Sequence, residues 1–498
     1  MSVDARVLRS RERDGGGVRA AVATPPAAPA APERLAPLER LHALCDPGSL
    51  ELVRTSVASR SQRATPGDGV VAGAGAVGGR PVYCYAQDQS FAGGSLGTVQ
   101  AETIVRVLEL AGRARAPVVG FIASGGARID EGTGALGGYG RIFRQHVALS
   151  GRVPQISVIT GTSAGGGAYA PALTDFVVMC EGSRLFLTGP AVVEEVMGES
   201  VSMDELGGTR VHSRNGVCDL VAADDSTAVE LARELLAHLP QRSGLASDSV
   251  VPEEPLVRDP GATVPADPRR VYDIRSVIRC LSDRSAMLEL SPRWARNMVT
   301  AMARLNGHPV GVVANQPRHL GGVIDAAASE KAARFIRRCD AFGLPLVVLV
   351  DTPGFLPGTT QEALGVIRHG AGLLHAFSAA RVPKVTVILR KGYGGGFITM
   401  NSRELGADVA LAWPSAEIGV LGPKQAVAIT QRRAIEAAGD PEAERDRLAE
   451  AYASEHLDAE VAAAGGHVDE VIEPARTRER LVWALAMLGG LDAERRTS

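Results

Sequence analysis

Residues 152–167, RVPQISVITGTSAGGG, and residues 381–396, RVPKVTVILRKGYGGG, decide the fold. They overlay without a gap at a constant separation of 229 positions. Each runs from Val-Pro through a β-branched apolar stretch into a glycine triplet followed by helix-compatible residues. That pattern is a buried strand, a tight turn and a helix start. Upstream, APVVGFIASGG (116–126) parallels LPLVVLVDTPG (344–354), and downstream LTGP (187–190) parallels VLGP (420–423). Three matched segments in the same order make an internal duplication. The unit is far longer than a solenoid repeat, so each copy buries its own core, and alternating strands and helices predict an α/β fold, twice over.

The chain has 498 residues, room for more than one domain at roughly 100–200 residues each. The Pro-, Ser- and acid-rich stretch QRSGLASDSVVPEEPLVRDPGATVPADPRR (241–270) reads as a linker between a domain at 32–240 and one at 271–490, with residues 1–31 as a disordered tail. With 53 basic and 56 acidic side chains, a net charge of −3 gives no basic excess for nucleic acid or anionic membrane. No apolar run reaches the ~18 residues of a membrane span, and the N-terminus lacks the apolar core of a secretory signal. The six cysteines form no CxxC pair. They predict neither a disulfide framework nor a zinc ribbon, hence no metal and a cytoplasmic setting.

Consecutive glycine amides at a strand-to-helix turn suit a negative oxygen, and the missing Cβ atoms let a ligand carbonyl approach closely. Each well-placed donor to a developing oxyanion is worth ~3–4 kcal/mol. Three look-alikes compete. GTSAG (161–165) matches the G-x-S-x-G elbow of serine hydrolases, with Ser163 as nucleophile, yet the repeat partner of Ser163 is Gly392. DTPG (351–354) has no phosphate-binding GxxxxGK[ST] loop to accompany it. Neither triplet completes a dinucleotide GxGxxG with its acidic partner. No general base is shared by the two halves. Arg128, opening ARIDEG beside the first turn, is placed to meet a phosphate.

At these motifs the sequence resembles the carboxyltransferase (β) subunits of biotin-dependent acyl-CoA carboxylases, the propionyl-CoA and acetyl-CoA carboxylase β chains. SGGARIDEG and GGYGRIF (124–143), GTSAGGGAYAPALTDF (161–176), ELGGTRVHSRNGVCD (205–219), ASEKAARFIRRCDAF (328–342) and DTPGFLPGTTQE (351–362) carry the resemblance. It implies two tandem crotonase-like domains, one oxyanion hole in each, and a homohexamer with active sites between the N-terminal domain of one subunit and the C-terminal domain of another. It also implies the chemistry: carboxybiotin from a partner releases CO2, its ureido anion takes the α proton of an acyl-CoA thioester, and the enolate attacks CO2. Running backwards, the same enolate decarboxylates a malonyl-type thioester.

Carried over residue by residue, the resemblance gives the biotin ureido oxygen to the amides of Gly165 and Gly166 and the thioester oxygen to those of Gly395 and Gly396. The repeat offset alone would choose Gly394 and Gly395. Ser124, Gly125, Gly126, Ala127 and Arg128 resemble a coenzyme A-contacting stretch. Propionyl-CoA members commonly have Asp where this chain has Ile398, so acetyl-CoA is the leading substrate and propionyl-CoA the next. The only lysines are Lys331, Lys384, Lys391 and Lys424. None is flanked by methionine as a biotin-carrying lysine is in this class, so biotin is expected on a separate biotinylated α subunit. Malonyl-unit supply for fatty acid or polyketide synthesis is the expected setting.

Overall fold

The computed structural model describes residues 34–59, 65–239, 250–267 and 269–489; the expected tail at 1–31 lies outside them. QISVI, buried at every position, sits inside the first sheet, as a parallel strand covered on both faces must. The strands of this half are β1 (Glu51–Leu52), β2 (Val70–Val77), β3 (Arg80–Gln87), β4 (Val118–Ile122), β5 (Gln155–Ile159), β6 (Thr162–Ala164), β7 (Phe176–Cys180), β8 (Arg184–Phe186) and β9 (Leu220–Ala222). The sheet order is β1-β2-β3-β4-β5-β7-β9, antiparallel across β1–β3 and parallel beyond, while β6 and β8 pair separately. Helices Thr98–Ala114 and Thr133–Leu149 make the crossovers into β4 and β5.

The second half repeats the plan with β10 (Met287–Leu290), β11 (Met298–Leu305), β12 (His308–Asn315), β13 (Leu346–Thr352), β14 (Lys384–Tyr393), β15 (Val409–Ala412), β16 (Glu417–Gly419) and β17 (Glu470–Val471). Its order is β10-β11-β12-β13-β14-β15-β17, with β16 alongside β14. The duplication extends well beyond the segments matched in sequence. Strands β2 and β11, strands β3 and β12, and helices Thr98–Ala114 and Ala326–Phe342 all stand 228 positions apart. So do the single parallel bridges Leu96↔Ala127 and Ile324↔Phe355. The first half interrupts its central strand between β5 and β6, whereas the second carries β14 through unbroken to the glycine turn.

The halves do not bury the wholly separate cores that the duplication predicted: one apolar cluster joins Phe176, Val178 and Leu220 to Leu288, Phe335 and Ile336, and polar bonds reinforce the junction. Arg338, on helix Ala326–Phe342, binds both carboxylate oxygens of the buried Asp219 at 2.9 and 3.2 Å and stacks on Phe176. Lys331, about two helical turns away, donates to the carbonyls of Ser291, Trp294 and Met298, fixing the loop whose Ser291 N–H reaches Asp219 O. The described part of the 241–270 stretch is not a free linker. Val250 N–H donates to Gly307 O, Leu256 N–H to Ser285 Oγ, and Gly261–Thr263 forms a 3-10 turn. The segment is anchored through its backbone on the second half, which composition alone does not reveal.

Candidate active site

Strand β6 ends at Ala164, and the chain turns at Gly165 with φ 56° and ψ −121°, a conformation that only glycine adopts without strain. Gly165 N–H is already committed to Phe186 O at 3.1 Å. Gly166 and Gly167 open the helix Gly166–Ala172, so their amides have no acceptor within that helix. Gly167 is buried and Gly166 half-buried. Packing forbids a side chain at Gly166, because a Cβ there would stand 2.5 Å from the Tyr139 ring.

The stretch Ser124–Arg128 lies against this turn. Ala164 N–H donates to Ser124 O at 2.9 Å, and Ser124 Oγ shares a 2.7 Å hydrogen bond with Tyr139 OH. Leu96 clamps the far end by accepting from Arg128 N–H and donating to Gly126 O. Gly125 is exposed and Ala127 half-buried, which leaves backbone for a ligand to touch. Arg128 is a correction to the sequence expectation. Its side chain is buried, bound to Asp68 at 3.0 Å, Glu131 at 2.8 Å and Ser95 O at 3.1 Å, and stacked over Phe91. The guanidinium braces the loop and is not presented to a phosphate.

The second turn is the first one's counterpart. Gly394 has φ 54°, matching Gly165, and Gly395 is exposed. Gly396 is buried against Gly354, where a Cβ would meet Gly354 Cα at 2.7 Å. Gly166 and Gly395 are thus equivalent by the repeat and both reachable from solvent. Ile398 follows on the helix Gly394–Thr399 and is 48% exposed. Among the described residues no hydrogen bond or ion pair joins the two turns. Leu187, whose carbonyl lies by Gly165, and Val420, whose carbonyl lies by Gly394, are exposed, and the helices that follow them expose Val192, Val196 and Met197 in the first half and Ile429 in the second.

Ser163 does not form a nucleophile elbow. It lies inside β6, fully buried, where its Oγ only accepts from Ser124 N–H at 3.4 Å; an elbow nucleophile stands exposed on the turn itself. Nor, among the described residues, is a carboxyl near the turns poised as a base. Burial opposes charge on Glu131, but bonds from Thr98 N–H and Arg128 hold its carboxyl below the usual range. Asp351 is pushed up by burial and is bound to Arg390, and Glu417 accepts from Tyr393 OH. The turns therefore offer N–H donors, and a proton has to be taken by a reactant. Sequence reasoning missed Tyr139, whose only trace was a tyrosine in a glycine-rich helix.

A family model described as the carboxyl transferase domain matches residues 31–494. The methylmalonyl-CoA carboxyltransferase 12S subunit of Propionibacterium freudenreichii subsp. shermanii is 46% identical over 90% of this chain and 87% of its own length. The propionyl-CoA carboxylase carboxyltransferase subunit of Haloferax mediterranei is 49% identical over 85% and 83%. The methylmalonyl-CoA decarboxylase subunit alpha of Propionigenium modestum is 44% identical over 91% and 90%. Among solved structures, the transcarboxylase 12S hexamer assembly with methylmalonyl-coenzyme A bound superposes with a TM-score of 0.87 at 46% identity, covering 92% of this chain and 89% of that one. With two crotonase-like α/β halves and a donor-only turn in each, the chain belongs to the carboxyl transferase family as a biotin-dependent acyl-CoA carboxyltransferase β subunit.

Proposed function

We propose that this chain moves a carboxyl group from carboxybiotin, held on a biotinylated partner chain, to the α-carbon of a short acyl-CoA, with acetyl-CoA the preferred acceptor and propionyl-CoA the next. The observation that carries the reading is the duplicated turn: two sets of backbone donors, built alike 229 positions apart, with no side-chain base at either. Two donor sets suit a reaction with two oxyanions, a thioester enolate and a ureido anion. Carboxybiotin supplies CO2 and, once that is released, the base.

The assignment of the turns is refined by packing. Because Ser124–Ala127 lies against the Gly165–Gly167 turn, a coenzyme A thioester bound along that stretch reaches the Gly166 amide, while Gly165, its own N–H held by Phe186 O, shapes the turn. We therefore give the thioester oxygen to the first turn and the ureido oxygen to the second, at Gly395 with its neighbour Gly394 or Gly396. This exchanges the two ligands relative to the resemblance. Ser124, Gly125, Gly126, Ala127 and the backbone of Arg128 line the coenzyme A, and Arg128's side chain holds that backbone in place. Exposed Leu187 and Val420, with the apolar residues exposed on the helices after them, support a site completed by a second copy of the chain, in a hexamer such as that of the 12S relative. The first domain keeps the limits 32–240, and the second, placed at 271–490 from the sequence, takes in residues 250–267 as well.

The acetyl-CoA preference rests on the resemblance, in which propionyl-CoA members commonly have Asp where this chain has the half-exposed Ile398. The relative named a methylmalonyl-CoA decarboxylase subunit favours a second reading, the same site working towards decarboxylation. Pairing the chain with candidate biotinylated α subunits and ranking acetyl-, propionyl- and butyryl-CoA by carboxylation rate tests the proposal. Acetyl-CoA should lead; no carboxylation of any of the three overturns it.

A further inference from the structure

The two turns are aimed by different means. Between the pairs Val350↔Ile388 and Thr352↔Gly392 the register of β13 and β14 slips, so that Asp351 alone faces Leu389, Arg390 and Lys391. Such a bulge re-aims a strand, and it leaves ladder groups to be satisfied by other means. Here side chains do it. Asp351 Oδ1 accepts from Lys391 N–H at 3.3 Å and Oδ2 from Arg390 Nε at 3.1 Å, while Leu389 O accepts from Ser415 Oγ at 3.2 Å. Arg390 is tied further to Arg270 O at 2.9 Å and lies over the Tyr272 ring. Both members of the ion pair are buried.

The first half lacks this device. The repeat partners of Asp351 and Arg390 are Ala123 and Gly161, and these also face each other, since a Cβ on Gly161 would meet Ala123 Cβ at 2.9 Å. There the strand simply breaks between β5 and β6, and packing on Tyr139 locates the turn. In the second half a cavity of about 240 Å³ borders Arg390, Ser415 and Glu417. On that side the bulge borders open space, and the bonds of Arg390 to Asp351 and Arg270 O and of Ser415 to Leu389 O hold it. Two residues beyond Lys391, Tyr393 leads into Gly394 with its hydroxyl on Glu417.

We propose that Asp351 and Arg390 are positioning residues for carboxyl transfer: the Asp351 carboxylate fixes the bulge of β14, and the bulge aims the amides of the Gly394–Gly396 turn. This rests on reading that turn as the one that binds the ureido oxygen. Removing one partner alone leaves a buried unpaired charge and threatens folding, so the test uses two doubles in the full-length chain that both remove the charges. Asp351→Asn/Arg390→Met keeps an oxygen for Lys391 N–H. Asp351→Ala/Arg390→Met does not.

Transfer from malonyl-CoA to free biotin is measured, with melting temperature and oligomeric state alongside. A turn displaced by about 1 Å loses ~10- to 100-fold in rate. The Ala double should fall by that factor with a raised KM for biotin and an unchanged KM for malonyl-CoA, at a melting temperature close to that of the Asn double. The Asn double should keep kcat within about fivefold of the wild type. Equal kcat in the two doubles, or a loss that tracks the folded fraction alone, overturns the inference and leaves the function standing. No transfer by the wild-type chain removes both.

Discussion

Gly166→Ala is the sharpest perturbation of the first turn. The added Cβ would lie 2.5, 2.6 and 2.7 Å from three carbons of the Tyr139 ring, so the ring must retreat by about 1 Å to regain a ~3.5 Å contact. Tyr139 is buried and has no open side to retreat to. Overpacking of this kind costs about 1–3 kcal/mol. The displaced hydroxyl also strains its 2.7 Å bond to Ser124, adding about 1 kcal/mol. Ser124 O in turn holds Ala164 N–H, the last strand residue before the turn, so the shift passes to the amides proposed to bind the thioester. A misplacement near 1 Å lowers the rate by ~100-fold. The assay is acyl-CoA formation from malonyl-CoA and free biotin, with thermal melting and sizing in parallel. Gly395→Ala is the comparison, because its Cβ would meet only Phe355 at 3.8 Å, leaving stability unchanged. Gly166→Ala with wild-type rate and melting temperature would refute the packing argument.

Ile398→Asp should shift the substrate ranking from acetyl-CoA towards propionyl-CoA, read as the ratio of their kcat/KM values; an unchanged ratio removes Ile398 as a determinant. Ser163→Ala should keep transfer within about threefold and cost under about 1 kcal/mol, since it removes only one weak buried acceptor; abolished turnover in an intact assembly would revive the hydrolase. Asp175 is pushed up to about 6, first by burial, against the opposing bond from Gln155 N–H and the charge of Arg338. A carboxyl that holds its proton more tightly when folded gives stability present below its unfolded pKa near 3.8 and lost as pH rises to about 6. Asp175→Asn should therefore flatten the fall in melting temperature between pH 4 and 6.5, and a mutant curve parallel to wild type would contradict the shift.

The duplicated strand–turn–helix was legible because its signals are local: a β-branched run, Val-Pro before it and glycines where the backbone must take positive φ. Gly165 and Gly394 show why those glycines matter. Outside the matched segments the repeat survives in geometry alone. Nothing in TVQAETIVRVLELAGRA resembles AAASEKAARFIRRCDAF closely, although the two helices occupy equivalent places, since a crossover helix needs only an apolar face of the right length. Arg128 was misread because burial by Asp68, 60 residues earlier, leaves no local mark. The Asp351–Arg390 pair was equally hidden: both residues were visible as charges near turns, but only strand pairing shows that one fills a bulge in the other's strand.

The proposed transfer of carboxyl groups between biotin and a short acyl-CoA relies on backbone donors alone. Incubating the purified full-length chain with malonyl-CoA or methylmalonyl-CoA, with and without free biotin, tests it most directly. The account predicts biotin-dependent release of acetyl-CoA or propionyl-CoA, lost in Gly166→Ala and retained in Ser163→Ala. No biotin-dependent release from either thioester by a folded, assembled chain would contradict it.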